Sequence, residues 1–181
     1  MTGIGPRRIA LLAALLGAVS TAPVRGQSCT VNGTANCNIN STVTIQIGAA
    51  TMVALPGSTI TLNTPYVPDY DAGYQDSPGP SATVRANRSW RLYISASTAS
   101  GYWTAAGGAW ASKPAGDLRW ALASGGPYTS LLVSPGSAQI GSGAAATAGT
   151  SIPLYFRTSL DWLRDTPGTY TLTVMYTLTA P

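Results

Sequence analysis

The chain has 181 residues, of which 45% are hydrophobic and only 9% charged, with ten Lys or Arg residues, six acidic residues and no His. The absence of His excludes Ser-His-Asp and Cys-His catalytic arrangements, and all six acidic residues are Asp. Few groups therefore remain for acid–base chemistry, and we predict that the protein is not an enzyme and needs no cofactor.

The N-terminus has the charged, apolar and small-residue order of a secretory signal peptide. Arg7 and Arg8 precede an apolar run at residues 9–19, which is 11 residues long. Crossing a bilayer takes roughly 20 residues, so this run is too short for a stable anchor. Cleavage after Ala22 is possible, but a cut before Gln27 is favoured. We predict a signal peptide at 1–26 and one domain at 27–181, without a membrane span, that is secreted, periplasmic or at the cell surface.

Removal of the signal peptide changes the charge. Arg7, Arg8 and Arg25 leave with it, so seven of the ten basic residues remain against six acidic ones. A nearly neutral domain lacks the basic surface that neutralises phosphates. We therefore predict that the protein does not bind nucleic acid.

Cys29 and Cys37 flank a short segment rich in Asn, Thr and Gly. In an oxidising compartment this pattern predicts a disulfide, and closing so short a loop is worth about 2–3 kcal/mol in the chain-entropy model. A metal pair or a redox pair is the alternative. The sequence has no His to complete a metal site, and the spacing is not Cys-x-x-Cys.

From Ser41 onward, short alternating runs are separated by Gly, Pro, Asn and Asp, which predicts an all-β, immunoglobulin-like antiparallel β-sandwich of about 7–9 strands. No segment shows a convincing helical period. Two stretches are predicted to be loops: residues 64–81, which are rich in Pro, and residues 141–149, which are mostly Ala, Gly and Ser. The predicted strands are residues 42–47, 58–63, 82–86, 90–96, 118–122, 130–133, 152–157 and 170–179.

Aromatic residues in the predicted loop at 64–81 and in the Gly- and Ala-rich stretch at 101–116 are candidates for ligand binding. They can stack on a sugar or anchor a protein partner, or they can fold back to close the ends of the sandwich. The candidate ligand-binding residues are Tyr66, Tyr70, Tyr74, Trp103 and Trp110.

Three carboxylates, at Asp69, Asp71 and Asp76, form a weak candidate site for Ca²⁺. The spacing does not match an EF-hand loop, so an acidic, solvated turn is the alternative, and we assign no metal. Asp165 lies in an Asp-Thr-Pro-Gly turn, where it is predicted to cap the turn before the last strand.

Residues 167–179 read Pro-Gly-Thr-Tyr-Thr-Leu-Thr-Val-Met-Tyr-Thr-Leu-Thr. This tail resembles the closing strand of bacterial secreted immunoglobulin-like domains, particularly the pilin-like spore coat U family and chaperone–usher fimbrial subunits. The resemblance implies a sandwich whose open groove accepts an extended segment of a neighbour. Residues 27–40 are then the candidate donor, although they lack alternating large apolar residues.

These features together predict a non-catalytic structural or adhesive protein of the cell surface that associates with itself or with other envelope proteins. The Thr-rich outer face of the last strand and the missing catalytic residues favour this function. A carbohydrate-binding module that uses the loop aromatics is the alternative. The Ala- and Gly-rich composition is typical of a bacterial protein.

Overall fold

A computed structural model describes residues 42–181, of which residues 47–181 form one unit. The predicted signal peptide and the predicted Cys29–Cys37 disulfide lie outside the described residues. Within them, no helix is long and apolar enough to cross a membrane. The elements are β1 (Thr51–Ala54), α1 (Val67–Ala72), β2 (Tyr74–Ala86), β3 (Trp90–Ala96), β4 (Thr104–Ala106), a 3-10 helix (Ala115–Asp117), β5 (Leu118–Ala121), β6 (Thr129–Ser130), β7 (Ala138–Gly143), β8 (Thr147–Ser159), β9 (Thr169–Thr171) and β10 (Val174–Thr179).

The strands form three antiparallel sheets in the described part of the chain. One has five strands in the order β1-β2-β8-β5-β6, a second has three in the order β10-β3-β7, and the third pairs β4 with β9. The longest pairing joins β2 to β8. This architecture confirms the all-β prediction.

The two larger sheets share one hydrophobic core. Val84 of β2 and Leu154 of β8 come from the five-stranded sheet, while Leu92 and Ile94 of β3 come from the three-stranded sheet, and all four are buried. Side chains alternate between the two faces of a strand, so every second residue of these strands points into this core. The alternation is what makes Trp90, Leu92 and Ile94 inward neighbours.

Several predicted strands are confirmed by the structure. Residues 90–96 coincide with β3, residues 82–86 and 152–157 lie within β2 and β8, and residues 118–121 form β5. The prediction at 130–133 is largely wrong, since β6 contains only Thr129 and Ser130.

The predicted strands at 42–47 and 58–63 are wrong, because neither segment is a strand in the described structure. Val43 is 90% exposed and Ile45 79% exposed, so these apolar side chains are not buried among the described residues. In the second segment, the backbone N–H of Asn63 donates to the hydroxyl of Ser77 at 3.1 Å and not to a neighbouring strand. Alternation makes a stable strand only where a partner strand pairs with it.

The prediction of a loop at residues 64–81 is also wrong. Helix α1 begins after Tyr66, whose N–H donates to the Asp69 carboxylate at 2.8 Å, and it ends at Gly73 with a φ of 77°. Strand β2 then runs through the prolines, and its register with β8 shifts just after Pro78. A Cβ at Gly79 would lie 2.8 Å from the Leu154 carbonyl oxygen, so only Gly fits at this irregularity.

The prediction of a flexible loop at residues 141–149 is wrong for a related reason. Residues 138–143 form β7 and β8 begins at Thr147. A Cβ at Gly143 would lie 2.5 Å from Nε1 of Trp90, so the bare backbone of β7 lets this indole pack closely on the sheet. Glycine serves here as a packing surface for an aromatic ring.

The C-terminal strand keeps the predicted alternation but is divided. Strand β9 pairs with β4, whereas β10 pairs with β3, and the break falls between Thr171 and Val174. The predicted inner face is confirmed, because its members are partly buried against the core: Tyr170, Leu172, Val174, Tyr176 and Leu178.

Candidate functional site

An apolar depression lies where β10 approaches the segment that begins with β1. We call it the β10 groove; its volume is about 450 Å³, and it is lined by Val53, Leu55, Gly57, Ser58 and Tyr176. Among the described residues, β10 pairs only with β3. Its other edge therefore presents backbone N–H and C=O groups that can accept a further strand.

Tyr176 gives the β10 groove an unusual polar atom. Its hydroxyl is buried and has no hydrogen-bond partner among the described residues. Burial raises the pKa of Tyr176 to about 12, so the hydroxyl stays protonated at neutral pH. Buried hydroxyls are normally hydrogen-bonded, so this unpartnered one is an exception among the described residues.

The three tyrosines that were predicted to bind a ligand have different surroundings. Tyr66 is exposed, whereas the ring of Tyr70 lies against Trp162 with the ring centroids 4.7 Å apart. Tyr74 lies under the guanidinium of Arg157, at 3.6 Å from the ring centroid. Of these three tyrosines, only Tyr66 has no aromatic or cationic neighbour among the described residues.

The two predicted tryptophans do not join these tyrosines. Trp103 is buried in the core, and its Nε1 donates to the Pro114 carbonyl at 3.0 Å, so it offers no surface for a ligand. Trp110 is half-buried, and its backbone N–H donates to the Tyr170 hydroxyl at 2.9 Å. Trp110 is thus tied to Tyr170, whereas Trp103 is part of the core.

Tyr66 and Tyr74 line an open depression of about 640 Å³ beside α1. Its other lining residues are mostly polar: Asn63, Thr64, Asp69, Ala72, Gln75 and Asp76. The amide nitrogen of Gln75 donates to the Thr64 carbonyl at 2.9 Å, which ties the segment before α1 to the start of β2. The arrangement offers two aromatic rings and several hydrogen-bonding groups to solvent.

Arg157 organises the rim of this depression and was missed by the sequence analysis. Its Nε and Nη2 donate to the Asp76 carboxylate at 2.6 and 2.8 Å, and its guanidinium also lies 4.2 Å from the ring centroid of Tyr128. The hydrogen bonds from Arg157 lower the pKa of Asp76. These hydrogen bonds form because the pairing of β2 with β8 places Asp76 opposite Arg157.

The weak calcium candidate is not supported. Asp69 accepts from the Tyr66 N–H, Asp71 accepts from the indole N–H of Trp162 at 3.1 Å, and Asp76 binds Arg157. No group of three carboxylates in residues 42–181 is arranged to hold a metal ion. The three side chains are used separately in local contacts.

A buried cluster of charged groups surrounds Lys113. Its Nζ lies 2.8 and 2.9 Å from the two carboxylate oxygens of Asp165, donates to the Ser159 carbonyl at 2.8 Å, and lies 3.5 Å from Oδ2 of Asp117. The side chains of Lys113 and Asp165 are only 3% and 4% exposed. Asp165 is therefore a partner of a buried amine, which corrects its predicted role as a simple turn cap.

The local backbone holds this cluster in place. The Lys113 carbonyl accepts from the Trp103 N–H at 2.9 Å, and the 3-10 helix that follows positions Asp117. Asp165 also accepts from the backbone N–H of Asp161 at 2.9 Å. Burial raises the pKa of Asp117, and the charge of Lys113 opposes that rise. The chain's single Lys, in an apolar stretch, was the one sequence signal for this cluster.

Comparisons with known proteins add no assignment: no family model matches the chain, and no curated protein matches it significantly.

Proposed function

We propose that the protein is a non-catalytic structural or adhesive protein, an immunoglobulin-like β-sandwich that associates with further copies of itself through the open edge of β10. The observation that carries this proposal is the β10 groove, where a free strand edge, apolar side chains and the unpartnered Tyr176 hydroxyl come together. The shared core of the two larger sheets and their antiparallel pairing support the sandwich.

The chain contains a segment with the chemistry that the groove requires. Val43, Ile45 and Ile47 alternate with polar residues and are exposed, and they form no strand in the described structure. An added strand supplies its backbone to the free edge and its alternate side chains to the apolar pockets beside it. We therefore assign residues 42–47 of a second copy as the occupant, in place of the earlier candidate at 27–40.

The N-terminal signal-peptide pattern supports a location outside the cytoplasm. Self-association outside the cytoplasm fits the exposed, Thr-rich outer face of β10, which Met175, Thr177 and Thr179 share. The acidic and basic side chains of the described chain are ion-paired, hydrogen-bonded or exposed, which supports the absence of catalysis.

Size-exclusion chromatography with light scattering tests this proposal on the mature protein over a range of concentrations. We expect oligomers or filaments for the wild type and a monomer for Ile45→Asp, because a charge in the groove is costly to desolvate. Gln46→Asp is the matched control, with the same new charge on the opposite face of the segment, and it should still associate. A wild type that stays monomeric, or equal loss in both variants, would overturn the proposal.

A second candidate is carbohydrate binding at the depression lined by Tyr66 and Tyr74. The exposed Tyr66 ring beside several polar groups favours it, because sugars are bound by stacking together with hydrogen bonds. A glycan array identifies the ligand, and Tyr66→Ala should then abolish binding. Tyr102→Ala, at an exposed tyrosine outside the depression, should leave it intact. No bound glycan, or equal losses in both variants, counts against this function.

A further inference from the structure

We propose that Lys113 and Asp165 are the site of a self-formed covalent cross-link, an amide bond between the lysine amine and the aspartate side chain. The two residues are 52 positions apart, yet Nζ contacts both carboxylate oxygens at 2.8 and 2.9 Å. The amine is thus held beside the carboxyl group that it would attack. Such positioning replaces a bimolecular encounter by a reaction within one chain.

The surroundings favour condensation over hydrolysis. Both side chains are almost fully buried, and the aromatic ring of Tyr170 lies 5.8 Å from Nζ. Condensation requires the neutral pair, a free amine beside a carboxylic acid, which forms when one proton moves from the ammonium to the carboxylate. Exclusion of bulk water also removes the reagent that would reverse the reaction.

The reaction balances without any further reagent. The Nζ lone pair of Lys113 attacks Cγ of Asp165 and forms the new C–N bond. One C–O bond of the carboxyl group then breaks, and the departing oxygen takes two protons, both of which come from the ammonium group. The products are one secondary amide and one molecule of water, with no change of oxidation state.

Asp117 is placed to move these protons. Its Oδ2 lies 3.5 Å from Nζ, and its side chain is 30% exposed, which leaves a path for the released water. It would accept a proton from the attacking nitrogen and return it to the departing oxygen, as a general base and then a general acid. The raised pKa of Asp117 brings this carboxyl closer to the range in which both roles are possible.

The choice of residue supports a chemical role for the pair. Lys113 is the only Lys in the chain, and the other described ion pairs of the protein use Arg157 and Arg164. A guanidinium binds carboxylates well but does not attack them to form an amide. A buried lysine amine can do so. The single amine of this type is therefore found at the most buried carboxylate contact of the described residues.

Tryptic digestion and mass spectrometry of the denatured wild type test the proposal directly. Trypsin cleaves after Arg91, Arg119 and Arg164 but does not cleave Lys113 from the proline that follows it. We expect peptides 92–119 and 165–181 to appear as one branched species, lighter than their sum by one water. Recovery of both peptides separately and at full mass would overturn the proposal, and this measurement needs no variant.

Three variants separate a cross-link from an ion pair. Lys113→Arg keeps the charge but should give separate peptides, and Asp117→Ala should give mostly separate peptides from a folded protein. Asp165→Asn should yield a branched product of the same mass as the wild type, because ammonia leaves in place of water. A branched species in Lys113→Arg, or full cross-linking in Asp117→Ala, contradicts the assigned roles of these two residues.

Discussion

Two ion pairs of this protein have similar contact distances and opposite surroundings. Lys113 meets Asp165 at 2.8 Å with side chains 3% and 4% exposed, whereas Arg157 meets Asp76 at 2.6 Å with side chains 23% and 40% exposed. Solvent screens the Arg157–Asp76 pair and would hydrate either partner if the other were removed. The buried Lys113–Asp165 pair is shielded from solvent and has no such compensation. The comparison teaches that burial, and not contact distance, decides what a charged pair does for the fold.

The largest effect is expected when the buried pair is broken. Compared with Lys113→Arg, which keeps the charge and forms no cross-link, Lys113→Met leaves the Asp165 carboxylate buried without a cation, so we expect a loss of about 3–5 kcal/mol in the free energy of unfolding. Urea denaturation followed by Trp fluorescence measures it. The double variant Lys113→Met with Asp165→Leu removes both charges and should recover part of the loss. A loss under about 1 kcal/mol for Lys113→Met would show that the pair is solvated.

Breaking the exposed pair should cost less. Arg157→Lys keeps the charge but removes the two-pronged contact with Asp76 and the stacking on Tyr74, so we expect a loss of about 1 kcal/mol or less. The same denaturation measurement applies. High salt should diminish the difference from the wild type, and an effect as large as that of Lys113→Met would overturn the comparison.

The two sites should also respond to pH in opposite directions. The pKa of Asp76 lies below its ordinary value of 3.8, so the stability it contributes is present above pH 3.8 and is lost as the pH falls through the folded-state pKa. The pKa of Asp117 is raised above 3.8, so the folded state holds its proton more tightly. The stability that Asp117 contributes to the fold therefore falls as the pH rises from 3.8 through its folded-state pKa.

Urea denaturation at several pH values measures these slopes. Relative to the wild type, Asp117→Asn should gain stability as the pH rises above 3.8. Asp76→Asn should lose stability relative to the wild type as the pH rises from the folded-state pKa of Asp76 to 3.8. Parallel curves for both variants would show that neither carboxyl is shifted as described.

The smallest effect is expected at the most exposed pair. Arg164 contacts Asp161 at 2.9 Å with a side chain that is 64% exposed. Arg164→Ala should leave the melting temperature unchanged, and differential scanning calorimetry checks this. A clear drop would mean that loop residues 160–168 contribute more to the fold than their exposure indicates.

The sequence predicted best where a strand alternates over several residues and pairs with a neighbouring strand. Strand β3 and the inner face of β10 follow the pattern closely. The same pattern failed at 42–47, since a period of two describes a possible strand and not the presence of its neighbour. Proline in β2 and glycine in β7 led to wrong loop predictions. A register shift after Pro78 accommodates the proline within β2, and the indole of Trp90 packs over Gly143 in β7.

The candidate sites were less predictable than the fold. The contact of Lys113 with Asp165 joins two loops that are 52 residues apart, and that of Arg157 with Asp76 spans 81 residues. No local period encodes such pairings, because they depend on how the sheets assemble. The aromatic pattern predicted exposed rings only in part, since Tyr66 is exposed while Trp103 is part of the core.

The position of β10 in the three-stranded sheet has a consequence for how the protein is made. Thr179 lies opposite Arg91, and Val174 lies opposite Ala96, so this sheet joins the end of the chain to its middle. Contacts of such long range form slowly, because the intervening chain must first be ordered. At a synthesis rate of about 5–20 residues per second, β3 waits several seconds for its partner. The three-stranded sheet thus stays incomplete until β10 has been synthesised.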